Sequence, residues 1–391
     1  MHPRHRVILL IEATSAFGRG CLRGIARYAR AHGGWLFYHR MRYPVEPIRV
    51  KDLRAWKGDG VLARLDNTMI ADVIKKLKLP AVDLSGADLV PGVASVCTDH
   101  NKIVAMAAEH LKANGLRNLA YCGFPGVYHS DARQIAFEQV VDAPHGTKHV
   151  FDAPPMKALP DSPPSYEVRG AADAAILQTW LHRLPKPVGI IACSDTRARQ
   201  VLEACEAIDL NVPHEVSVVG VDDDDVVCEL SNPPRTSVVP NVEAIGYEAA
   251  RLLDAMLQGE PPPAQPVLIA PVAVETRNSS DATVGGDPAL TKAVQFIRRD
   301  LGSGINVEDV LEEVGVSRST LERQFLDHLG CTPLEFILRC RIDRVKQLLL
   351  DTEYPLVKIA AMGGFSRVAH MITVFRQRTG MTPSRFRRTS G

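Results

Sequence analysis

Between Gly315 and Arg388 the chain carries one pattern twice. The first copy has Gly315-Val316-Ser317, Phe325, Gly330-Cys331-Thr332-Pro333 and Phe336, and the second has Gly364-Phe365-Ser366, Phe375, Gly380-Met381-Thr382-Pro383 and Phe386. From the Phe onward the offset is a constant 50 residues, with Leu321 and Met371 each four residues before it. One supersecondary unit has been used twice, which restricts this region to two similar packed pieces.

Each copy reads as helix-turn-helix. In the first, Asn306 is placed to cap a helix through Val307, Val310, Leu311 and Val314; Gly315 makes the turn and Ser317 caps the next helix. That helix buries Leu321 and Phe325 and leaves Arg318, Ser319, Glu322 and Arg323 outward. In the second, Leu356, Ile359 and Ala360 support, Gly364 turns and Ser366 caps. Leu338, Ile342, Val345, Leu348 and Leu349 form one stripe, predicting a single helix from about Phe336 to Leu350 between the units.

Charge placement fits a phosphate-facing surface. Residues 287 to 391 hold 16 Lys and Arg against 12 Asp and Glu, whereas the remainder holds 30 against 33. From Arg367 to the C-terminus there are six Arg (367, 376, 378, 385, 387 and 388) and no acid. Arg supplies both charge and bidentate phosphate contacts.

The second copy, with Val316-Ser317-Arg318-Ser319-x-Leu321-x-x-x-Phe325 before it, resembles the DNA-binding region of AraC/XylS-family transcription regulators over roughly the last hundred residues. The resemblance implies double-stranded DNA as partner, with two recognition helices in successive major grooves. By position, base-facing residues fall on Ser319, Glu322 and Arg323 and on Val368, Ala369 and Thr373, with Arg318, Arg367 and Arg376 beside them. The chain departs from the family at Ala369-His370-Met371 and Thr373. Val368 and Ile372 either meet thymine methyl groups or widen the core stripe.

Residues 5 to 275 alternate strand and helix. Val7 to Ile11 is a continuous apolar run suited to a parallel strand buried on both faces. Helical spacing follows in 19–31, 70–77, 101–113, 171–183 and 195–207; strands are expected near 60–63, 81–84, 119–122, 188–192 and 216–221. The expected fold is two doubly wound parallel α/β halves, the second beginning near Lys148, followed by an all-α domain. Gly18, Gly20 and Gly24 approach a dinucleotide fingerprint with the last glycine displaced, and read as turn and packing glycines.

Polar residues cluster where strands end: Ser194-Asp195, Asp222, and Arg133 opening a helix. Such acceptors and a guanidinium fork at carboxyl ends of parallel strands suit sugar hydroxyls. Asp195 could equally cap its helix, and Arg133 could pair with Asp131. The acid run Asp222 to Asp225 cannot converge on one ion from a short turn, so Asp223 to Asp225 read as a solvated loop. These residues, with Val96-Cys97-Thr98-Asp99 and Val212-Pro213-x-x-Val216-Ser217-Val218-Val219-Gly220-Val221-Asp222, are similar to the sugar-binding core of LacI/GalR-type repressors and periplasmic sugar-binding proteins. The resemblance implies a two-lobed, periplasmic-binding-protein-like domain closing on a small sugar. It assigns hydroxyl binding to Arg133, Asp195 and Asp222 and wall positions to Ser15, Phe17 and Asp99. Phe17, Phe124, Tyr128 and His129 are available against the sugar ring.

The boundaries drawn are a sensor over 1–277, a linker over 278–287 and the DNA-binding domain over 288–391, with Pro154 to Pro164 as a loop between lobes. The apolar run after His2-Pro3-Arg4-His5-Arg6 is too short for a secretory signal. Eight cysteines without a C-x-x-C suggest reduced core residues, no metal and a cytoplasmic chain. With no G-x-S-x-G, phosphate loop or H-E-x-x-H, no enzyme and no cofactor is expected. A sugar carrier would have no use for the C-terminal repeat. A sugar-binding core ahead of a double helix-turn-helix resembles regulators of pentose operons. This implies a homodimeric activator, with D-xylose as effector, RNA polymerase as a further partner and no membrane attachment.

Overall fold

The computed structural model describes all residues except 1–4, 40–48, 144–145, 154–162, 281–287, 353 and 391. The first lobe is built from β1 (His5–Leu10), α1 (Ala16–His32), β2 (Trp35–His39), α2 (Val50–Trp56), β3 (Gly60–Ala63), α3 (Thr68–Leu77), β4 (Ala81–Asp83) and β5 (Ala94–Thr98). The chain then crosses to the second lobe: α4 (His100–Ala113), β6 (Asn118–Cys122), α5 (Tyr128–Val140), β7 (Lys148–Val150), α6 (Pro163–Arg183), β8 (Val188–Ala192), α7 (Asp195–Glu206), β9 (Val216–Val221), α8 (Asp225–Glu229) and β10 (Thr236–Val239). It returns for α9 (Val242–Leu257) and β11 (Val267–Ile269), and crosses a third time into β12 (Ala273–Glu275).

Two six-stranded sheets result, ordered β11-β5-β4-β3-β1-β2 and β12-β10-β9-β8-β6-β7. The recorded strand pairs are parallel except β10 with β12. Val7, Ile8, Val61, Leu62, Val188, Ile190, Val216 and Val218 are wholly buried, as expected of strands covered by helices on both faces. The expected division is corrected here. The second lobe opens at α4, not near Lys148, and the first is completed by α9 and β11 from far along the chain. Most of the proline-rich stretch lies outside the described residues, but β7 and α6 on either side share one lobe, so it does not join the two.

The glycines of α1 work by close approach. A Cβ on Gly24 would sit 2.0 Å from the Glu243 carbonyl oxygen, and one on Gly246 2.0 Å from that of Cys21, so α1 and α9 pack nearly backbone to backbone. At the crossovers, the Asp99 N–H donates to Ile269 O at 2.9 Å and that of Val272 to Val239 O at 2.8 Å.

The C-terminal domain contains α10 (Pro288–Arg299), α11 (Val307–Val314), α12 (Arg318–Leu329), α13 (Pro333–Asp351), α14 (Leu356–Met362), α15 (Val368–Thr379) and α16 (Pro383–Ser390). Asn306 and Asp309 form a capping box on α11, and Ser317 caps α12. The duplication persists in three dimensions: Phe325 meets Phe336 at 5.7 Å and Phe375 meets Phe386 at 5.5 Å, both with ring planes at 78°. α13 serves both cores, with Phe336 and Ile337 in one and Ile342, Val345, Leu348 and Leu349 in the other. Arg341 fastens them, donating to Ile305 O at 2.7 Å beside the Phe365 ring.

Ser366 does not cap α15. Arg367 holds the N-cap position without a side-chain cap bond, because the second turn is one residue longer and the constant offset pairs Ser317 with position 367. Arg387 also turns inward, its Nη2 donating to Tyr354 O at 2.7 Å.

The segment expected to begin the linker is docked at its start. Ser279 and Ser280 are fully buried; Ser279 Oγ donates to Val218 O at 2.7 Å, and Asn114 Nδ2 donates to Ser280 O at 2.8 Å. The rest of the expected linker, 281–287, lies outside the described residues, and α10 begins at Pro288. Polar contacts join the second lobe to the C-terminal domain: Arg339 Nη2 donates to Ala113 O at 2.8 Å, Gln347 Nε2 to Glu275 Oε2 at 2.8 Å, and Arg117 Nη2 to Asp327 O at 3.2 Å.

Candidate ligand cleft and nucleic-acid interface

The carboxyl ends of β1, β3, β6, β8 and β9 place the polar residues between the lobes. On the second-lobe side, Arg133 is brought in by α5 with its side chain only 4% exposed. Its Nη1 donates to Cys193 O, and its Nη2 lies 3.9 Å from Asp222 Oδ1. Asp222 stays 32% exposed and is held at φ 116°, a strained value for any residue but glycine, with Asp223 at φ 49°. Burial raises the Asp222 carboxyl above its ordinary range, against the attraction of Arg133 and Arg64. Asp131, the alternative partner of Arg133, accepts from the Gly126 N–H instead.

The first lobe contributes residues that sequence reasoning missed. Glu12 follows β1 and accepts from Ser15 Oγ, from the Ser15 and Thr14 N–H groups and from Thr14 Oγ1. Arg64, following β3, lies 3.3 Å from Glu12 and 2.9 Å from Asp66, with its guanidinium 4.9 Å from the centre of the Phe17 ring. Burial opposes ionisation of Glu12, but Arg64 and the Ser15 and Thr14 hydrogen bonds together hold it below its ordinary range. The only signal was position: a charged residue just past each of two first-lobe strands. Arg19 of α1 reaches across to Asp224 at 3.1 Å.

Ser15 caps α1 and supports Glu12, and Phe17 packs beneath Arg64. Asp99 caps α4 at a crossover and pairs with Lys102 at 3.5 Å. Asp195 is buried below the Asp222 loop. It accepts from Ser237 Oγ at 2.8 Å, the Asp224 N–H at 3.3 Å and Cys228 Sγ at 3.4 Å, with Arg235 Nε at 3.6 Å. The cap of α7 is Ser194. Burial, opposed by Arg235 and reinforced by Asp222, pushes the Asp195 carboxyl up to about 7. Phe124 is also inaccessible, stacked under Tyr166 at 5.2 Å and against Arg197. The expected solvated loop is corrected at two positions, where Asp223 pairs with Arg277 at 2.8 Å and Asp224 with Arg19, whereas Asp225 is exposed at the start of α8. The Asp223 and Asp224 carboxylates diverge because each meets a different element.

In the C-terminal domain, Arg318, Ser319 and Arg323 are exposed on α12 and Glu322 is half-buried. Arg318 is paired with Glu308, with Glu322 at 3.9 Å. On α15, Ala369, Thr373 and Arg376 are exposed, as is Arg367 before it, whereas Val368 and Ile372 lie half-buried against the core of the second unit. Thr373 Oγ1 donates back to Ala369 O at 3.0 Å.

Three family models cover most of the chain: the XylR N-terminal domain at 6–101, a periplasmic binding protein-like domain at 108–280 and a helix-turn-helix domain at 310–389. The chain is 31% identical to the xylose operon regulatory protein of Escherichia coli (strain K12), over 98% of its own length and 97% of the relative's. It is 29% identical to the xylose operon regulatory protein of Haemophilus influenzae, over 98% of each. The solved structure of the xylose-binding transcription activator xylR matches with 30% identity and TM-score 0.61, over 99% of both chains. A two-lobed binding core and a double helix-turn-helix in this order, matched end to end, place the protein in the xylose operon regulator family of DNA-binding transcription regulators.

Proposed function

We propose that this regulator is a cytoplasmic homodimer that responds to D-xylose and activates pentose catabolic genes by binding operators with both helix-turn-helix units of each chain. Arg133 and Asp222 hold the sugar from the second lobe, and Glu12 and Arg64 meet it from the first. The observation that carries this reading is the opposition of two carboxylates and two guanidinium groups across the cleft. Acceptors and fixed donor forks suit vicinal hydroxyls. The names of the relatives, xylose operon regulatory protein and xylose-binding transcription activator, support xylose among the pentoses. The protein acts by binding rather than turnover.

Sugar bound by both lobes favours the closed arrangement. The C-terminal domain is fastened to the second lobe through Ala113 and Glu275, so closure changes the presentation of α12 and α15 and their access to polymerase. Coupling of this kind changes DNA affinity by roughly 5- to 150-fold.

The test is a thermal-shift panel with D-xylose, L-arabinose, D-ribose, D-glucose and D-galactose. D-xylose at about 100 times its Kd stabilises the sensor by about 2.7 kcal/mol. A panel with no shift overturns the sugar assignment and leaves DNA binding intact.

A further inference from the structure

His129, one of the residues available against the sugar ring, and His100 have had no polar role in the cleft so far. His100 is the first residue of α4, where the chain crosses between lobes, and both its ring nitrogens are buried without a hydrogen-bond partner. Its ring lies edge-on to Tyr128 at 5.9 Å. His129, in the first turn of α5, lies edge-on to Tyr166 at 6.1 Å. A buried imidazole with neither nitrogen satisfied costs free energy unless something else completes it.

Both rings are held neutral. Burial, with Arg133 adding repulsion, pushes His100 down to about 3. Burial also holds His129 well below its ordinary value, with Arg133, Arg64 and His100 adding to the effect. His129 lies one helical turn before Arg133 on α5 and shares its face, and the His100 ring meets Tyr128 at the start of the same helix, so both rings stand beside the Arg133 guanidinium. A neutral imidazole carries one donor and one acceptor. That combination suits a sugar hydroxyl, which both gives and accepts a proton, and it brings no further net charge to a neutral ligand.

We propose that His100 and His129 are sugar-binding residues, each offering its ring nitrogens to ligand hydroxyls between Arg133 and Arg64. The inference deepens the sugar-binding reading and rests on it. The unmet nitrogens of His100 join the unmet Nε of Arg133 as buried donors and acceptors without a protein partner. Its place at a crossover also makes ligand contact sensitive to lobe closure.

The test is calorimetric titration of the full-length protein and its His100→Leu and His129→Leu variants with D-xylose, together with ligand-free melting curves. Each variant is expected to lose about tenfold or more in affinity, the scale of one lost hydrogen bond to a buried partner. The ligand-free melting temperature of His100→Leu is expected to hold or rise, since Leu removes buried ring nitrogens that lack a protein hydrogen-bond partner, and that of His129→Leu is expected to hold. Affinity within twofold of wild type in both variants overturns the proposal while leaving sugar binding in place. Lost affinity with a lowered ligand-free melting temperature also overturns it, because the imidazoles then serve the fold. Failure of the wild type to bind D-xylose or any other sugar of the panel overturns both readings.

Discussion

The Arg133 guanidinium reaches two ways, with Nη1 donating to the Cys193 carbonyl and Nη2 3.9 Å from the Asp222 carboxylate. One end is anchored by the backbone and the other reaches the exposed acid. Arg133→Ala is expected to weaken D-xylose binding by roughly tenfold or more, since it removes a buried donor fork from the cleft. Asp222→Gly should lose binding similarly while relieving a positive φ, so its ligand-free melting temperature should not fall. Calorimetry and melting curves check both.

Asp195 gives a pH dependence of definite sign. Its folded-state carboxyl is raised to about 7, so between the ordinary carboxylate value and pH 7 the folded chain binds a proton that the unfolded chain does not. Its contribution to stability is full below that lower value and is lost as pH rises through 7, at up to about 1.4 kcal/mol per pH unit. His100 and His129 are lowered and act in the opposite sense. The stability difference between wild type and Asp195→Asn therefore isolates the carboxyl, and it should fall from pH 4 to pH 7 in denaturant titrations.

The matched ring pairs predict matched losses. Phe325→Ala and Phe375→Ala each remove a fully buried ring and should destabilise the C-terminal domain by about 3–5 kcal/mol. Both should abolish operator binding while the sugar-induced thermal shift persists.

On the DNA side, Arg376→Ala should reduce the slope of log affinity against log salt by about 0.9 if it neutralises one phosphate. Arg323→Ala should instead change discrimination between bases, by about 1–3 kcal/mol at one position. Operator titrations over a salt series, with single-base variants, separate the two.

Arg339→Ala removes the cation from the last carbonyl of α4, a helix that begins at the lobe crossover. D-xylose affinity should stay within about twofold of wild type while the sugar-induced change in operator affinity shrinks. Operator titrations with and without D-xylose measure it.

Local sequence determined the repeat, the caps at Asn306 and Ser317, the buried strands and the strand-end positions of Asp195 and Asp222, whereas Arg133 lies in the second turn of α5 rather than opening it. Each depends on residues a few positions apart, so spacing and side-chain type suffice. The one-residue step between Ser317 and position 367 was also present in the offset, although the serine in the second copy pointed elsewhere. Tertiary structure decided which polar residues stay at a surface and which turn inward. Asp195 is turned inward by Ser237 and Arg235, Arg387 by the Tyr354 carbonyl, and Asp223 by Arg277, all partners more than thirty residues away. Glu12 and Arg64 meet because β1 and β3 are neighbours in the sheet, and the first lobe is completed by α9 and β11 from beyond the second. Such pairings follow strand order and chain crossing, which bring distant residues together and leave no period in the sequence.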